Sequence, residues 1–425
     1  MTDPQDKPKP TVRQPWFVPL LDESKPWRSR SLMPLKPDGM TFALRDSRER
    51  VAEYETPQKF ETAVRESRSE LTQKAAVPTY DRWFPVVLLW EPAEGTPPYP
   101  IKQLGKPLLI SLLLGWLFLA PPKGLPIAGG DSKMLLLLAL MFFGIMPLAT
   151  QLIRWWEDRQ DREPDRNKRT QVDLVLFDQW LHSFSSIILK VTLAIFGVVY
   201  FLQVFGGIPK SMSLSKAFSA LFMGGGELSR SIWDAAMVKH RVLQNGEWWR
   251  LVTAGVMHGS LLHIFFNGSA LYFLGRVTIA MVGAPLLGLV FLTSIVGGAL
   301  ASLYLSGGRP SVGASGGVMG VLGFLTVILV LHRSGIPRPY KTNLLQAILI
   351  MSIFGALGAQ YIDNAAHAGG LLVGGLLGII LVPSRDRVWE YSPPRFVNVL
   401  GWISWIIIAL AGFQVVQLIL DWNLF

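Results

Sequence analysis

The chain has no cysteine among its 425 residues. That excludes a disulfide framework, a thiol nucleophile and a thiolate metal site. Charge is sparse as well. Asp, Glu, Lys and Arg make up 16% of the residues, whereas half are hydrophobic. Histidine is scarcer still, six in all, so any that falls inside an apolar segment stands out. The first ten residues, Met1 to Pro10, are polar and rich in proline, and they match neither a secretory signal nor a transit peptide.

What the chain does have points to a bilayer. It carries 40 glycines and 15 tryptophans. Glycine is frequent within membrane helices and tryptophan at their interfaces. Mean hydropathy is +0.35. A helix needs about 20 apolar residues to cross the hydrocarbon, and several uncharged windows approach that length. The expected fold is therefore an all-α polytopic membrane protein. A net charge of +10 would suggest nucleic acid in a soluble protein. In this setting it is read as lysine and arginine in cytoplasmic loops.

Composition divides the chain. Residues 1–105 are polar and dotted with proline, which predicts a cytosolic, partly disordered N-terminal region. Within it, Arg45 to Ala75 is a candidate surface helix, and Tyr80 to Trp90 a short strand or interfacial segment. Residues 106–153 hold two apolar runs, 107–121 and 134–153, on either side of a turn at Pro121 to Gly130. They are expected to form a transmembrane or re-entrant hairpin. Residues 154–186 are dense in mixed charge and are expected to be a cytosolic linker. A regular array follows over 187–382, with spans near 187–207, 259–281, 284–306, 315–332, 344–361 and 366–382. Residues 383–425 add a cytosolic loop and a further span near 398–420. The basic loops His332 to Lys341 and Ser384 to Arg395 are assigned to the cytoplasm. Counting outward from them brings His258, His263, Asn267, Ser315 and His367 to one depth on the non-cytoplasmic side. The loop 208–257 is then outside despite its basic residues; long loops follow the positive-inside rule less strictly.

Polar, ionisable side chains are costly inside a bilayer and raise a functional hypothesis. Ser315 lies in Gly313-Ala314-Ser315-Gly316-Gly317 at the head of an apolar run. A serine hydroxyl needs an adjacent base to act as a nucleophile, and His367 heads another apolar run. Free backbone N–H groups at a helix start can stabilise an oxyanion. Gly313 and Gly316 allow a tight turn and close approach of a substrate chain. Gly370, Gly374 and Gly378 recur every four residues, as do Gly316 and Gly320, with Gly323 near the same face. Such small-residue stripes let membrane helices pack backbone to backbone, which would bring His367 within reach of Ser315. No acidic residue lies within the core of these helices; Asp363, one turn before His367, could orient the ring but is read as a loop residue, so a Ser–His dyad is expected rather than a triad. His263 and Asn267, four apart, share a helix face and offer donors to an oxyanion. A metal site is disfavoured: His258 and His263 are not spaced as in His-Glu-x-x-His, and no carboxylate is nearby. The constellation implies proteolysis within the membrane, with no cofactor. A transporter with a polar pathway would show internal repeats, and none is convincing.

With Glu247-Trp248-Trp249-Arg250, His258…His263…Asn267, Gly313-Ala314-Ser315-Gly316 and Ala366-His367 followed by glycines, the chain resembles the rhomboid family of intramembrane serine proteases over about 187–382. The resemblance implies a six-helix core, here followed by a seventh helix and preceded by the membrane hairpin. It implies Ser315 as nucleophile and His367 as base and then acid. His263, Asn267 and the Ser315 amide would form the oxyanion hole, with His258 in support. The segment containing Glu247, Trp249 and Arg250 would brace an outer loop, and Trp248 and Trp249 suit the headgroup zone. Transmembrane proteins would be the substrates, cut near the outer leaflet after a small residue. The alternative it carries is a pseudoprotease that binds membrane-protein clients without cutting them. Position 319, often aromatic in the family, is Met319 here; a thioether can also pack on a ring. An integral protein of a bacterial inner membrane with a cytosolic N-terminus is expected.

Overall fold

The computed structural model describes residues 25–30, 33–46, 48–66, 74–77, 81–89, 105–119, 136–137, 139–160, 164–207, 233–307, 310–331, 336–358, 362–382 and 388–423, with Leu21 and Ser213 besides. The reading of Met1 to Pro10, the turn at Pro121 to Gly130 and residues 208–232 of the long loop, Ser213 apart, lie outside the described residues. Two compact units emerge: Met1–Tyr99 with Trp155–Ser183, and Pro100–Arg154 with Phe184–Phe425.

The first unit is a small α+β body. Strands β1 (Phe42–Arg45), β2 (Val51–Tyr54), β3 (Lys74–Ala76) and β4 (Phe84–Pro85) form an antiparallel sheet in the order β2-β1-β3-β4. Helix α1 (Pro57–Glu66) covers part of it. The stretch expected to be a surface helix, Arg45 to Ala75, instead begins at the last residue of β1 and holds β2, α1 and the start of β3. Both faces of the sheet are covered: Leu44 and Ala75 share a core with Phe60 and Val64 of α1, whereas Ala43 and Ala76 pack with Trp83. The stretch read as a linker is helical over Pro164–His182 and contributes Val172 and Leu176 to that same core. Its charges mask an apolar stripe. Arg28 grips Asp173 through two hydrogen bonds of 2.5 and 2.6 Å.

The second unit is all α. Helix α2 (Gly105–Leu119) is followed by a π-turn at Leu140–Ile145 that opens α3 (Met146–Gln160). The π-turn sits where Gly144 meets α2; a methyl group there would lie 3.0 Å from the Ser111 backbone. Helix α4 is Pro164–His182 of the first unit. The array then comprises α5 (Ile187–Gly207), the short α6 (Lys239–Asn245) and α7 (Arg250–Thr253), α8 (Leu261–Val282), α9 (Ala284–Leu305), α10 (Ser315–Leu331), α11 (Arg338–Leu357), α12 (Asn364–Leu381) and α13 (Arg395–Asn423). Among the described residues, six helices are long and apolar enough to cross a membrane; Gly105–Leu117, Phe143–Ile153 and Ser315–Val330 are apolar but shorter. This is a polytopic, all-α integral membrane unit. Helix α11 starts six residues earlier than the hydropathy suggests, because Pro339 fits a first helical turn.

The core is a three-helix sandwich of α9, α10 and α12. The face of α12 that is buried carries Ala366, Gly370, Gly374 and Gly378. A methyl at Gly370 or Gly374 would overlap the backbone of Gly316 or Gly320 respectively, so α10 and α12 touch along their main chains. Gly298 of α9 faces the Ala366 carbonyl and Gly316 in the same way. Helix α13 locks onto α9, where Trp405 Nε1 donates to the Ala284 carbonyl at 2.9 Å and Gly401 lies against Pro285.

Candidate active site

Polar groups gather where the N-terminal ends of α8, α10 and α12 meet the C-terminal end of α9. Ser315 is the first residue of α10, and the chain reaches it through Ser311 to Ala314. That approach is pinned. Ser311 pairs with Met237 in a two-residue antiparallel bridge at 3.0 and 3.1 Å. The Gly313 N–H donates to the Ala254 carbonyl at 2.8 Å. Gly313 has φ +122°, and a methyl there would lie 2.6 Å from His263 Nε2 and 3.5 Å from Asn267 Nδ2. Conformation and space both require glycine at this position. His263 and Asn267 therefore face the turn that leads into Ser315.

The Ser260 hydroxyl accepts from the His263 N–H at 3.1 Å and caps the helix. The Gly259 N–H approaches His263 Nδ1 at 3.5 Å. An acceptor at Nδ1 leaves the ring proton on Nε2, the atom that faces Gly313. Asn267 is buried, and its Nδ2 has no hydrogen-bond acceptor among the described residues. A buried donor without a partner is costly and calls for an explanation. Here it points at the turn beside Ser315.

His367 lies in the first turn of α12, and its N–H donates to the Asp363 carbonyl at 3.1 Å. Ala366 and Gly370 on either side of it contact Gly316, the residue after Ser315. Ser315 and His367 thus stand at matching levels on two helices in main-chain contact. No hydrogen bond joins the two side chains among the described residues. Such bonds are often long in a free enzyme and tighten when substrate binds.

His258 is 1% exposed and packs between the rings of Phe196 and His263, each with centroids 5.2 Å away. Its backbone is held by Gln203 of α5, whose side-chain amide bonds both the His258 N–H and carbonyl at 3.4 Å. Sequence reasoning missed Gln203; a buried glutamine in an apolar span was its signal. Arg250 is 1% exposed. It bonds Glu247 at 2.5 Å and the carbonyls of Trp233 and Ala236 at 3.1 and 2.9 Å, and lies 4.6 Å from the Trp249 ring centre. Burial opposes the Glu247 charge, but the hydrogen bond and charge of Arg250, with the Asn245 amide, hold its carboxyl below the usual range. Trp248 is half exposed, and Met319 is buried on α10. A small cavity beside the turn is lined by Met237, Leu251, Gly255, Ile295, Ala299 and Gly313.

Asp363 was passed over as a loop residue. The structure makes it the N-cap of α12, accepting from the Ala366 N–H at 3.0 Å. It also accepts the hydroxyls of Ser302, Ser306 at 3.0 Å and Ser311 at 2.6 Å. A carboxylate offers about four acceptor sites. All are taken, so none remains to orient the His367 ring. Among the described residues no cluster of three histidines and carboxylates could hold a metal.

An all-α bundle whose long apolar helices meet at glycine-packed faces defines a polytopic membrane protein. A family model described as the Rhomboid domain matches residues 245–384, so this stretch is similar to the rhomboid family. It is 34% identical over 151 residues to the rhomboid protease GluP of Bacillus subtilis (strain 168), covering 36% of this chain and 29% of that protein. It is equally similar, 34% over 151 residues, to the mitochondrial RHOMBOID-like protein 6 of Arabidopsis thaliana, covering 35% of this chain and 49% of that one. The rhomboid protease AarA of Providencia stuartii is 28% identical over 233 residues, covering 48% of this chain and 77% of that protein. The chain spans about half the length, or less, of the first curated relatives it matches.

Proposed function

We propose that this protein is an intramembrane serine endopeptidase that cuts transmembrane proteins by a Ser315–His367 dyad. The observation that carries the reading is the main-chain contact of α10 and α12 at Gly316, Ala366 and Gly370. It lets the helix starts that carry Ser315 and His367 approach to main-chain distance, which supports pairing of the two side chains. The Ser315 Oγ attacks the scissile carbonyl carbon as its proton passes to His367. The carbonyl oxygen becomes an oxyanion, and the His263 Nε2–H and the orphaned Asn267 amide are the donors that meet it, with the Ser315 N–H at the helix start. The tetrahedral intermediate collapses by breaking the C–N bond, with His367 returning the proton to the leaving amine. Water then attacks the acyl-enzyme with His367 again as base, and the acid product leaves. The small cavity beside Gly313 and Gly316 suits a small residue before the cut bond. Substrate helices unwinding near the outer leaflet, a bacterial inner membrane and a cytosolic N-terminus complete the proposal.

The test is co-expression with a panel of single-span model substrates, joined to labelling of the purified protein by a fluorophosphonate. Ser315→Ala and His367→Ala are each expected to abolish cleavage while leaving the helical content and thermal transition unchanged. Retained cleavage by either variant sinks the dyad. A wild type that neither cleaves nor labels marks a client-binding pseudoprotease instead.

A further inference from the structure

We infer that Asp363 is a positioning residue that sets the spacing between Ser315 and His367, an inference that rests on the dyad reading above. Its carboxylate ties together three segments that bear on that spacing. Through the Ala366 N–H it caps the helix that carries His367, one turn away. Through the Ser311 hydroxyl, at 2.6 Å, it holds the turn four residues ahead of Ser315. Through Ser302 and Ser306 it anchors both to the end of α9. Glycine packing fixes how closely α10 and α12 approach, but not their height relative to one another along the helix axes. A charged acceptor with all four sites filled does fix it, because sliding either helix breaks bonds at a half-buried carboxylate. Bonds to a charged group are about twice as strong as neutral ones, so the tie resists the strain of an incoming substrate. The other face of the same turn is held by Met237 and Ala254, so losing the Asp363 bond frees one side of the turn and leaves its fold intact. The carboxylate does not touch the reacting atoms; it acts through Ser311 and through the α12 cap.

The discriminating variant is Ser311→Ala. It removes the tie to the nucleophile turn and leaves the α12 cap, the glycine contacts and the Met237 bridge in place. Cleavage of a model substrate in detergent is expected to lose roughly 10- to 100-fold in kcat, since misplacing a reacting pair by up to 1 Å costs that much. KM and the thermal midpoint should hold, and the fluorophosphonate labelling rate of Ser315 should fall with kcat. Ser311→Thr keeps the hydroxyl and is expected to restore the rate. Asp363→Ala should lower kcat further and also the thermal midpoint, because the cap is lost too. Adding Ser311→Ala to it should then cost nothing more, as expected for two members of one bond. A Ser311→Ala protein with wild-type kcat, or losses that multiply in the double variant, overturns the inference while wild-type activity keeps the dyad reading standing. A wild type that neither labels nor cleaves removes the dyad, and the inference with it.

Discussion

The packing of α10 on α12 makes a prediction that neighbouring glycines answer in opposite ways. At Gly370 an added methyl overlaps the carbonyl oxygen, carbon and Cα of Gly316. Each of these is backbone, so no side chain can swing aside. An ordinary carbon–oxygen contact is about 3.3 Å, and restoring it requires α12 to back away from α10 by roughly 1 Å. Overpacking of this kind costs on the order of 1–3 kcal/mol. The retreat happens at the level of Ser315 and His367, where a shift of about 1 Å can cost 100-fold in rate. At Gly375, five residues on, the added methyl meets only Val327 Cγ2 at 3.8 Å. Alanine there is in ordinary contact and also favours the helix by up to about 1 kcal/mol. We therefore expect Gly370→Ala to lower the thermal midpoint and cut kcat about 100-fold, and Gly375→Ala to match or exceed wild type in both. Thermal unfolding in detergent and cleavage of a single-span substrate read the two quantities on the same preparation. Gly370→Ala at the wild-type rate and midpoint would refute the claim that main-chain contact sets the dyad.

Two further outcomes test other parts of the site. Asn267→Ala should lower kcat by 100- to 1000-fold, about 3–4 kcal/mol, with KM nearly unchanged; a fall confined to KM would make Asn267 a substrate contact. Glu247 has its folded-state pKa depressed, with Arg250's hydrogen bond and charge outweighing burial. Its stabilising share is present above the unfolded carboxyl value of about 4.3 and is lost as pH falls through the lowered folded value. The thermal midpoint of wild type should drop through that acid window, whereas Glu247→Gln should start lower and change less across it; parallel curves would exclude the Glu247–Arg250 pair as the cause.

The membrane unit was legible because each of its signals is local. Length and apolarity reveal a span, and a four-residue glycine repeat reveals which face is buried: Gly370, Gly374 and Gly378 are the interior face of α12. The N-terminal unit was not legible for the opposite reason. Its core draws Met33, Leu44, Phe60, Phe84 and Leu176 from segments more than a hundred residues apart, and short strands such as Lys74–Ala76 carry too few residues for alternation to declare itself. The charged stretch after Arg154 read as solvated because its apolar residues are spaced among many charges, yet Val172 and Leu176 are four apart and share one buried face. Gln203, and the bonds that Asp363 makes, are not legible in the sequence because they are tertiary. Nothing near Asp363 in the sequence announces that Ser302, Ser306 and Ser311 all end at its oxygens.

That difference has a physical cause in the membrane. Apolar side chains drive little association between helices already in lipid, so contact must come from small residues and polar bonds. Glycine contacts are short-ranged and leave a helix free to slide along its neighbour; polar bonds at the helix ends have direction and stop the slide. In this protein the two are separated along the same helix. Gly370, Gly374 and Gly378 run down α12 into the bundle, and Asp363 closes its upper end. A site built at the junction of the two needs few specialised residues, because the helix starts already supply free N–H groups and the glycines already bring the chains together. It follows that small-to-large changes deep in the stripe, at Gly374 or Gly378, should trade stability before rate, whereas changes at Gly370 and Asp363 should trade rate first.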